Sequence, residues 1–507
     1  MCRHVVVLRA WCVVVLAIPA SAAVAQSPTE IVASEVSGEP ATLGQQMPMP
    51  PAGQMSIPRE ASGTAWLPDN SPMYALHRQR GPWQIMFHEN AFLQSLHESG
   101  ARGAGQTGSI NWIMGMAQRN VGPGRTSFRA MVSGEPWTIG GCGYPDVLAS
   151  GEVCKGEQIH DLQHPHDLFM ELAATYDAPL RGQTRWQLYG GPAGEPALGP
   201  VAYPHRLSAM PNPIAPISHH WFDSTHVSFG VVTAGVYGDR WKAEGSAFNG
   251  REPDENRKDV DFGSLNSFSG RFWFLPNANV ALQVSAGRLN EAEAAEGNGP
   301  RTNVDRVTAT ATVHRVRERS VWATTAGWGR NAELGIATNA LLAETSFTLA
   351  DRDAWFGRVE VSGKTAHDLD VTGLSDDLLT VSKLQGGYTR YVPVGRFRAG
   401  LGVEGSLGFV PEQLKSLYGR RANPGGGIFL TIRPAMMPVA PSGGGGAMIM
   451  VQTAFDPSKL SCSPQIDPRA APSTSYEGKT YYFCSESDRA EFLKNPRMSL
   501  EMMPPKQ

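Results

Sequence analysis

Three histidines and two aspartates fall within eight residues of this 507-residue chain, in the run His160-Asp161-Leu162-Gln163-His164-Pro165-His166-Asp167. Neutral imidazole is the commonest transition-metal ligand. Side chains in an extended stretch repeat every two residues, so His164 and His166 point to one side, and Pro165 stiffens the pair. A second group, His219, His220 and His226, ends a later connection. If the connections bring the groups together, they suit a Zn or Cu ion. A histidine pair with a carboxylate also leaves a coordination position for metal-assisted hydrolysis, but no general base is identifiable beside His164 and His166. The competing reading is that these polar groups only hydrogen-bond loops into a plug. A P-loop, a G-x-S-x-G elbow and a CxxC pair are all missing from the sequence, so the chain is read as a non-enzyme.

The six cysteines divide by position. Cys142 and Cys154 close a short Gly-rich loop and predict a disulfide. Met47, Met49 and Met55 stand among prolines, where exposed thioethers suit a soft ion such as Cu(I) or do nothing beyond linking.

These residues need a scaffold, and the pattern around them is period two. Val307, Ala309, Ala311 and Val313 alternate with Thr308, Thr310, Thr312 and His314. Leu401, Val403, Leu407 and Phe409 oppose Arg396, Arg398, Glu404 and Ser406. Sixteen such strands are predicted, near 83–97, 108–119, 126–139, 166–177, 184–191, 224–237, 240–249, 265–275, 278–289, 303–314, 319–330, 338–349, 354–364, 381–391, 396–409 and 426–433. The gaps alternate short and long, the long ones including 140–165, 192–223, 250–264, 290–302, 365–380 and 410–425. The fold expected is therefore all-β: a transmembrane antiparallel β-barrel of about sixteen strands (range twelve to sixteen), with tight periplasmic turns and long outer loops. Trp241, Trp273, Trp328, Trp355 and Tyr391 are placed for interfacial girdles. Glu344, Arg358, Arg396, Arg398 and Glu404 lie on polar faces, where they line a lumen or pair across strands. A soluble β-sandwich is the architectural rival.

Residues 1–25 read as a secretory signal: a basic start, an apolar stretch, then Ala23-Val24-Ala25. Residues 26–75 read as a flexible leader, 76–433 as the barrel, 434–455 as a Gly/Pro linker and 456–507 as a small α+β domain. Past residue 25 no apolar run reaches the length of a membrane helix, which excludes a helical bundle. A net charge of −3 gives no support to a nucleic-acid partner.

In the C-terminal segment the runs FDPSKLSCSPQIDP and YEGKTYYFCSESDRAEFLKNP resemble the YHS family of small metal-binding modules. The resemblance implies soft ligands at Cys462 and Cys484. Asp488 stands where a further cysteine is expected, which makes a harder site and shifts preference from Cu(I) toward Zn(II). A Cys462–Cys484 disulfide stapling a small domain is the alternative. The stretch from QHPHDLFMELAATY to HHWFDSTHVSFGVVTAGVYGDRWKAEGSAFNGREPDE is similar to an uncharacterised group of Gram-negative outer-membrane proteins met among copper- and metal-resistance genes. That similarity implies a barrel in the outer membrane, with lipid and the barrel-assembly machinery as partners. The plausible last strand, Gly427 to Arg433, is not the chain terminus that assembly machinery usually reads. The reading that follows is metal transport or resistance, with a transition-metal ion as partner, no organic cofactor and the C-terminal module in the periplasm. A metal-sequestering or structural barrel and a barrel enzyme are the alternatives.

Overall fold

The computed structural model describes residues 59–295, 299–371, 378–437, 472–476, 479–482, 489, 492 and 493. A short β1 (Leu76–Arg80) precedes β2 (Trp83–Glu98), β3 (Gly105–Val121) and β4 (Gly124–Val132). An inserted hairpin, β5 (Tyr144–Cys154) and β6 (Glu157–Gln163), is followed by β7 (Phe169–Arg181), β8 (Thr184–Gly194), β9 (Ser228–Tyr237), β10 (Trp241–Phe248) and β11 (Ser267–Asn277). Then come β12 (Val280–Ala295), β13 (Gly299–Arg317), β14 (Ser320–Glu333), β15 (Ile336–Leu349), β16 (Asp353–Lys364), β17 (Leu379–Val394), β18 (Phe397–Phe409) and β19 (Ala422–Pro434).

Consecutive strands pair antiparallel, β4 pairs with β7 across the insertion, and β19 returns to β2 with Gly425 opposite Glu98 and Ile432 opposite Ala91. The ring closes on sixteen strands, so neither sheet edge is left open. β1 pairs with the start of β2, which β19 does not reach. Strands β13 to β18 are 12 to 19 residues long, enough to cross hydrocarbon at a tilt.

Side-chain parity sets the two faces. On β18, Leu401 and Val403 are exposed while Glu404 and Ser406 are buried. On β15, Leu341 is exposed while Glu344 and Ser346 are buried. Leu93, Phe268, Val284, Ile428 and Leu430 continue the outer apolar band around the ring. An apolar band of that extent is costly in water and at home in lipid. The charge-bearing face turns inward, the reverse of a sandwich. This is a membrane-spanning barrel. Among the described residues no helix is long and apolar enough to cross a membrane.

Several expectations need correction. Trp241, Trp328 and Trp355 face outward, but Trp273 and Tyr391 share parity with inward residues and are buried. Arg396 is exposed in the tight Gly395–Arg396 turn between β17 and β18, because the chain reverses there, with Gly395 at φ +58. It does not line the lumen. Arg398 is largely buried and pairs with Asp351 at 2.9 Å. Residues 290–295 and 299–302, expected within a long loop, extend the ladder between β12 and β13, with Leu289 opposite Val304 and Glu293 opposite Thr302.

The interior is filled rather than open. Residues 59–75, assigned above to a flexible leader, are packed inside. Trp66 is buried in edge-on contact with Tyr237, and Arg59 donates to the Asp239 carbonyl at 2.8 Å. Trp66 belongs to an apolar cluster with Trp273 and Leu275, which gives this stretch a docking site that no periodicity of its own announces. The 195–227 connection, with α2 (His219–Phe222), also folds inward. Ion pairs pin it to the wall. Arg206 holds Glu344 and Asp223 at 2.6 Å each, and Glu344 takes Arg358 at 3.0 Å. Lys383 holds Asp146 of β5 at 2.6 Å and Glu98 at 2.7 Å. Glu404 accepts from Gln385 at 3.4 Å. Near the C-terminus β20 (Ser473–Tyr476) pairs with β21 (Lys479–Tyr482). Residues 1–58, with Met47, Met49 and Met55, and the residues Cys462, Cys484 and Asp488 lie outside the described residues.

Two outcomes follow from this arrangement. Leu341→Arg, on the lipid face of β15, should cost about 2–4 kcal/mol if it sits near the bilayer midplane, read as a lower denaturant midpoint of the barrel folded in vesicles. Glu344→Ala leaves Arg206 and Arg358 short of their shared carboxylate and should cost about 3–5 kcal/mol. It should also raise single-channel conductance as the 195–227 segment loosens.

Candidate metal centre in the plug

Two connections at one end of the barrel, 133–168 and 195–227, fold into its interior, and Glu252 and Arg257 of the 249–266 connection reach in to meet them. Within the first, α1 (Glu135–Thr138) and the β5–β6 hairpin precede the histidine run. Cys142 and Cys154 are joined by a disulfide, with Cα atoms 5.8 Å apart, tying the two ends of β5's surroundings together. The chain beyond β6 delivers His164 and His166 to the plug. The second connection delivers His219 and His220 on α2 and His226 just after it.

The five imidazoles form one buried group. Ring centroids are 5.2 Å apart for His219–His226 and His166–His226, 5.5 Å for His219–His220, and about 6 Å for His164 to His219 and to His220. Tyr203 packs against His166, His219 and His226. His160 is directed elsewhere: it is half-buried on β6, with Nδ1 3.7 Å from Asp370.

The nitrogen partners sort the rings by role. His219 Nδ1 stands 2.8 Å from the Asp223 carboxylate, His226 Nδ1 2.8 Å from the Asp223 carbonyl, and His164 Nδ1 3.3 Å from the Pro165 carbonyl. In each, Nε2 is buried with no hydrogen-bond partner; that of His164 lies 3.2 Å from Glu152 but out of bonding line. A metal-ligating histidine characteristically shows this division, one nitrogen oriented by a carboxylate or carbonyl and the other presented to the ion. His166 differs: Nδ1 bonds Glu135 at 2.9 Å and Nε2 meets the Tyr203 hydroxyl at 3.1 Å, so both nitrogens are used.

Electrostatics agree with the division. Burial holds His164, His219 and His226 below the usual histidine pKa, and for His219 it outweighs the pull of Asp223. These rings are neutral at neutral pH, the form that binds a metal. Burial also works against protonation of His166, but the Glu135 carboxylate outweighs it and its pKa is raised. Burial opposes ionisation of Asp223, yet Arg206 and His219 together keep it below the usual carboxylate range.

His220 belongs to a second, harder grouping. Burial lowers its pKa to about 4. One ligand atom each from His220, Glu252 and Glu293 lie within 4.8 Å of one another. His220 Nδ1 is 3.0 Å from Glu252. A cavity of about 210 Å3 adjoins it, lined by Gly151, Glu293, Glu333 and Asp368 and reaching exposed Leu334 at the rim. Gly151 fits this corner because a Cβ there would stand 2.2 Å from the His220 ring, and its φ of +124 suits glycine alone.

Sequence reasoning identified His164, His166, His219 and His220 but not the residues that orient them. Asp223, Glu135, Tyr203 and Glu252 carry no local signal, since their roles arise from contacts across the plug. No family model matches the chain, and no curated protein matches it. Among solved structures the chain is similar to Salmonella typhi OmpF in complex with daunomycin, at 11% identity and TM-score 0.42 over 71% of this chain and 100% of that one. It is similar also to an anion-selective porin from Comamonas acidovorans, at 9% and 0.42 over 70% and 99%, and to Pseudomonas putida OprB at high pH, at 9% and 0.42 over 69% and 94%.

Proposed function

We propose that this chain is an outer-membrane barrel that handles a divalent transition-metal ion of the Zn(II) or Cu(II) class inside its plugged lumen. The single observation that carries this reading is the set His164, His219 and His226, each with Nδ1 engaged and Nε2 buried without a partner. An unsatisfied buried nitrogen is costly, and an ion bound among these rings, whose centroids are 6.0 Å apart for His164–His219 and 5.2 Å for His219–His226, would satisfy them once their Nε2 atoms are drawn together. The His220–Glu252–Glu293 group, beside a cavity that reaches the rim, supplies a capture point. The C-terminal module serves the same ion from the periplasm through Cys462 and Cys484, with Asp488 as a weaker third ligand; its support is the YHS resemblance. Export is supported by the N-terminal signal-like segment and the Cys142–Cys154 disulfide, which belongs in an oxidising compartment.

A second reading has its own support. The interior is filled by ion-paired segments, which favours a barrel that holds the ion over one that passes it. Flux distinguishes the two. In vesicles enclosing a Zn(II)-sensitive dye, a conduit gives ion entry that His219→Ala abolishes; a sequestering barrel gives binding without entry.

The shared claim is tested by Zn(II) calorimetry on the full chain in detergent. The double change His164→Ala with His219→Ala should weaken binding at least tenfold while the strand content by circular dichroism stays unchanged. Equal affinity in the variant would sink the histidine centre. Gly151→Ala, which forces His220 aside, should slow ion uptake and leave the final Zn(II) occupancy of the histidine centre intact, read by stopped-flow dye competition.

A further inference from the structure

A second cluster of imidazole and thioether side chains adjoins the histidine group on the far side of the Tyr203–His205 turn, toward the short-turn end. His88 on β2 and His205 in the inward connection have ring centroids 5.4 Å apart, and both rings pack on Trp112. Each aims Nε2 at a thioether. His88 Nε2 is 2.9 Å from Met114 Sδ, and His205 Nε2 is 3.3 Å from Met131 Sδ. Met114 and Met131 are buried. Met73, Met86, Met116 and Met210 line, with His88, Met114 and His205, a cavity of about 90 Å3, ample for a small ion.

Methionine is an ordinary filler of irregular cores, and a thioether by itself signals nothing. The imidazoles change that. A thioether is a weak hydrogen-bond acceptor, so a buried ring gains little by choosing one where oxygen acceptors could have been supplied. Thioether and imidazole together are the donor set of a soft, low-charge cation. The cavity lining also carries Glu60, Glu89 and Arg433, and Glu60 is taken up by Arg125 and Arg129. Arg129 is matched by Glu60 and Glu171, and Arg433 by Asp351. All the convergent donors are neutral, which disfavours a hard divalent ion that needs carboxylates.

We propose that the His88–Met114 and His205–Met131 pairs form a binding site for a soft monovalent cation of the Cu(I) or Ag(I) class, distinct in chemistry from the histidine centre. Its cavity is walled by β2 and β3, the 195–227 connection, Arg433 of β19 and the N-terminal segment at Met73 and Tyr74, and Met131 of β4 joins it through His205. Docking of that segment inside the barrel therefore closes one wall of the site.

Silver(I) is the probe, because it shares the ligand preference and does not change oxidation state during the assay. The full chain, with free cysteines alkylated to silence Cys462 and Cys484, is titrated with Ag(I) in nitrate buffer and separately with Zn(II). The variant is Met114→Leu with Met131→Leu, swaps that keep volume and apolarity and are among the best-tolerated core changes. The expected result is Ag(I) affinity at least tenfold weaker with Zn(II) affinity unchanged, and loss of sulfur backscattering at the silver absorption edge. Unchanged Ag(I) affinity overturns the site. Parallel loss of Ag(I) and Zn(II) binding overturns it as well, since the substitutions would then act through plug packing. Failure of Zn(II) binding in the unsubstituted chain, with Ag(I) binding intact, would count against the histidine centre alone.

Discussion

A ring of sixteen strands is wider than its own inward side chains can fill. What occupies that space decides everything else about this molecule. Here the chain fills it with its own connections and its own N-terminal segment. Each of these carries polar backbone and charged side chains into a place where unpaired charge is expensive. The pairing of buried charge across the plug–wall boundary is therefore the constraint on which the rest depends. Arg206 is its central piece, because one guanidinium joins the wall at Glu344 to the plug at Asp223.

That pairing also prepares the chemistry. Asp223 is committed on one oxygen to Arg206 and on the other to His219. The carboxylate that locks the plug thus fixes the tautomer and direction of an imidazole. His226 is oriented by the carbonyl of the same residue. Asp223 thus both anchors the plug and orients two imidazoles, so the histidine group is held for the same reason that the plug is stable.

Along the interior the donor chemistry is graded. Carboxylates with His220 stand beside the cavity at the long-connection end. The imidazoles of His164, His166, His219 and His226 group next to them, each beside a carboxylate or carbonyl. Imidazole with thioether lies toward the short turns, next to the docked N-terminal segment.

The sequence determined the barrel. All sixteen wall strands were legible because lipid on one side and a polar interior on the other impose a strict period of two. The alternation of Leu341 with Glu344 and Ser346, and of Leu401 and Val403 with Glu404 and Ser406, fixes both strand and facing. Parity held even at Trp273, which lies on the inward set with Arg271 and packs with Trp66, so it was the girdle expectation that failed there; Arg396 escapes the pattern because it sits in a turn. His164, His166, His219 and His220 were legible as a concentration of imidazole, and the fold brings them into one buried group. Tertiary structure alone decided the plug, because residues 59–75 and 195–227 lie in neither lipid nor water and no periodic environment marks them. It alone paired His164 with His219, gave Asp223 its two duties, and set His88 and His205 against methionines of neighbouring strands. Contacts of that kind join residues far apart in the chain, and their energy lies in the geometry of burial, which a linear pattern does not encode.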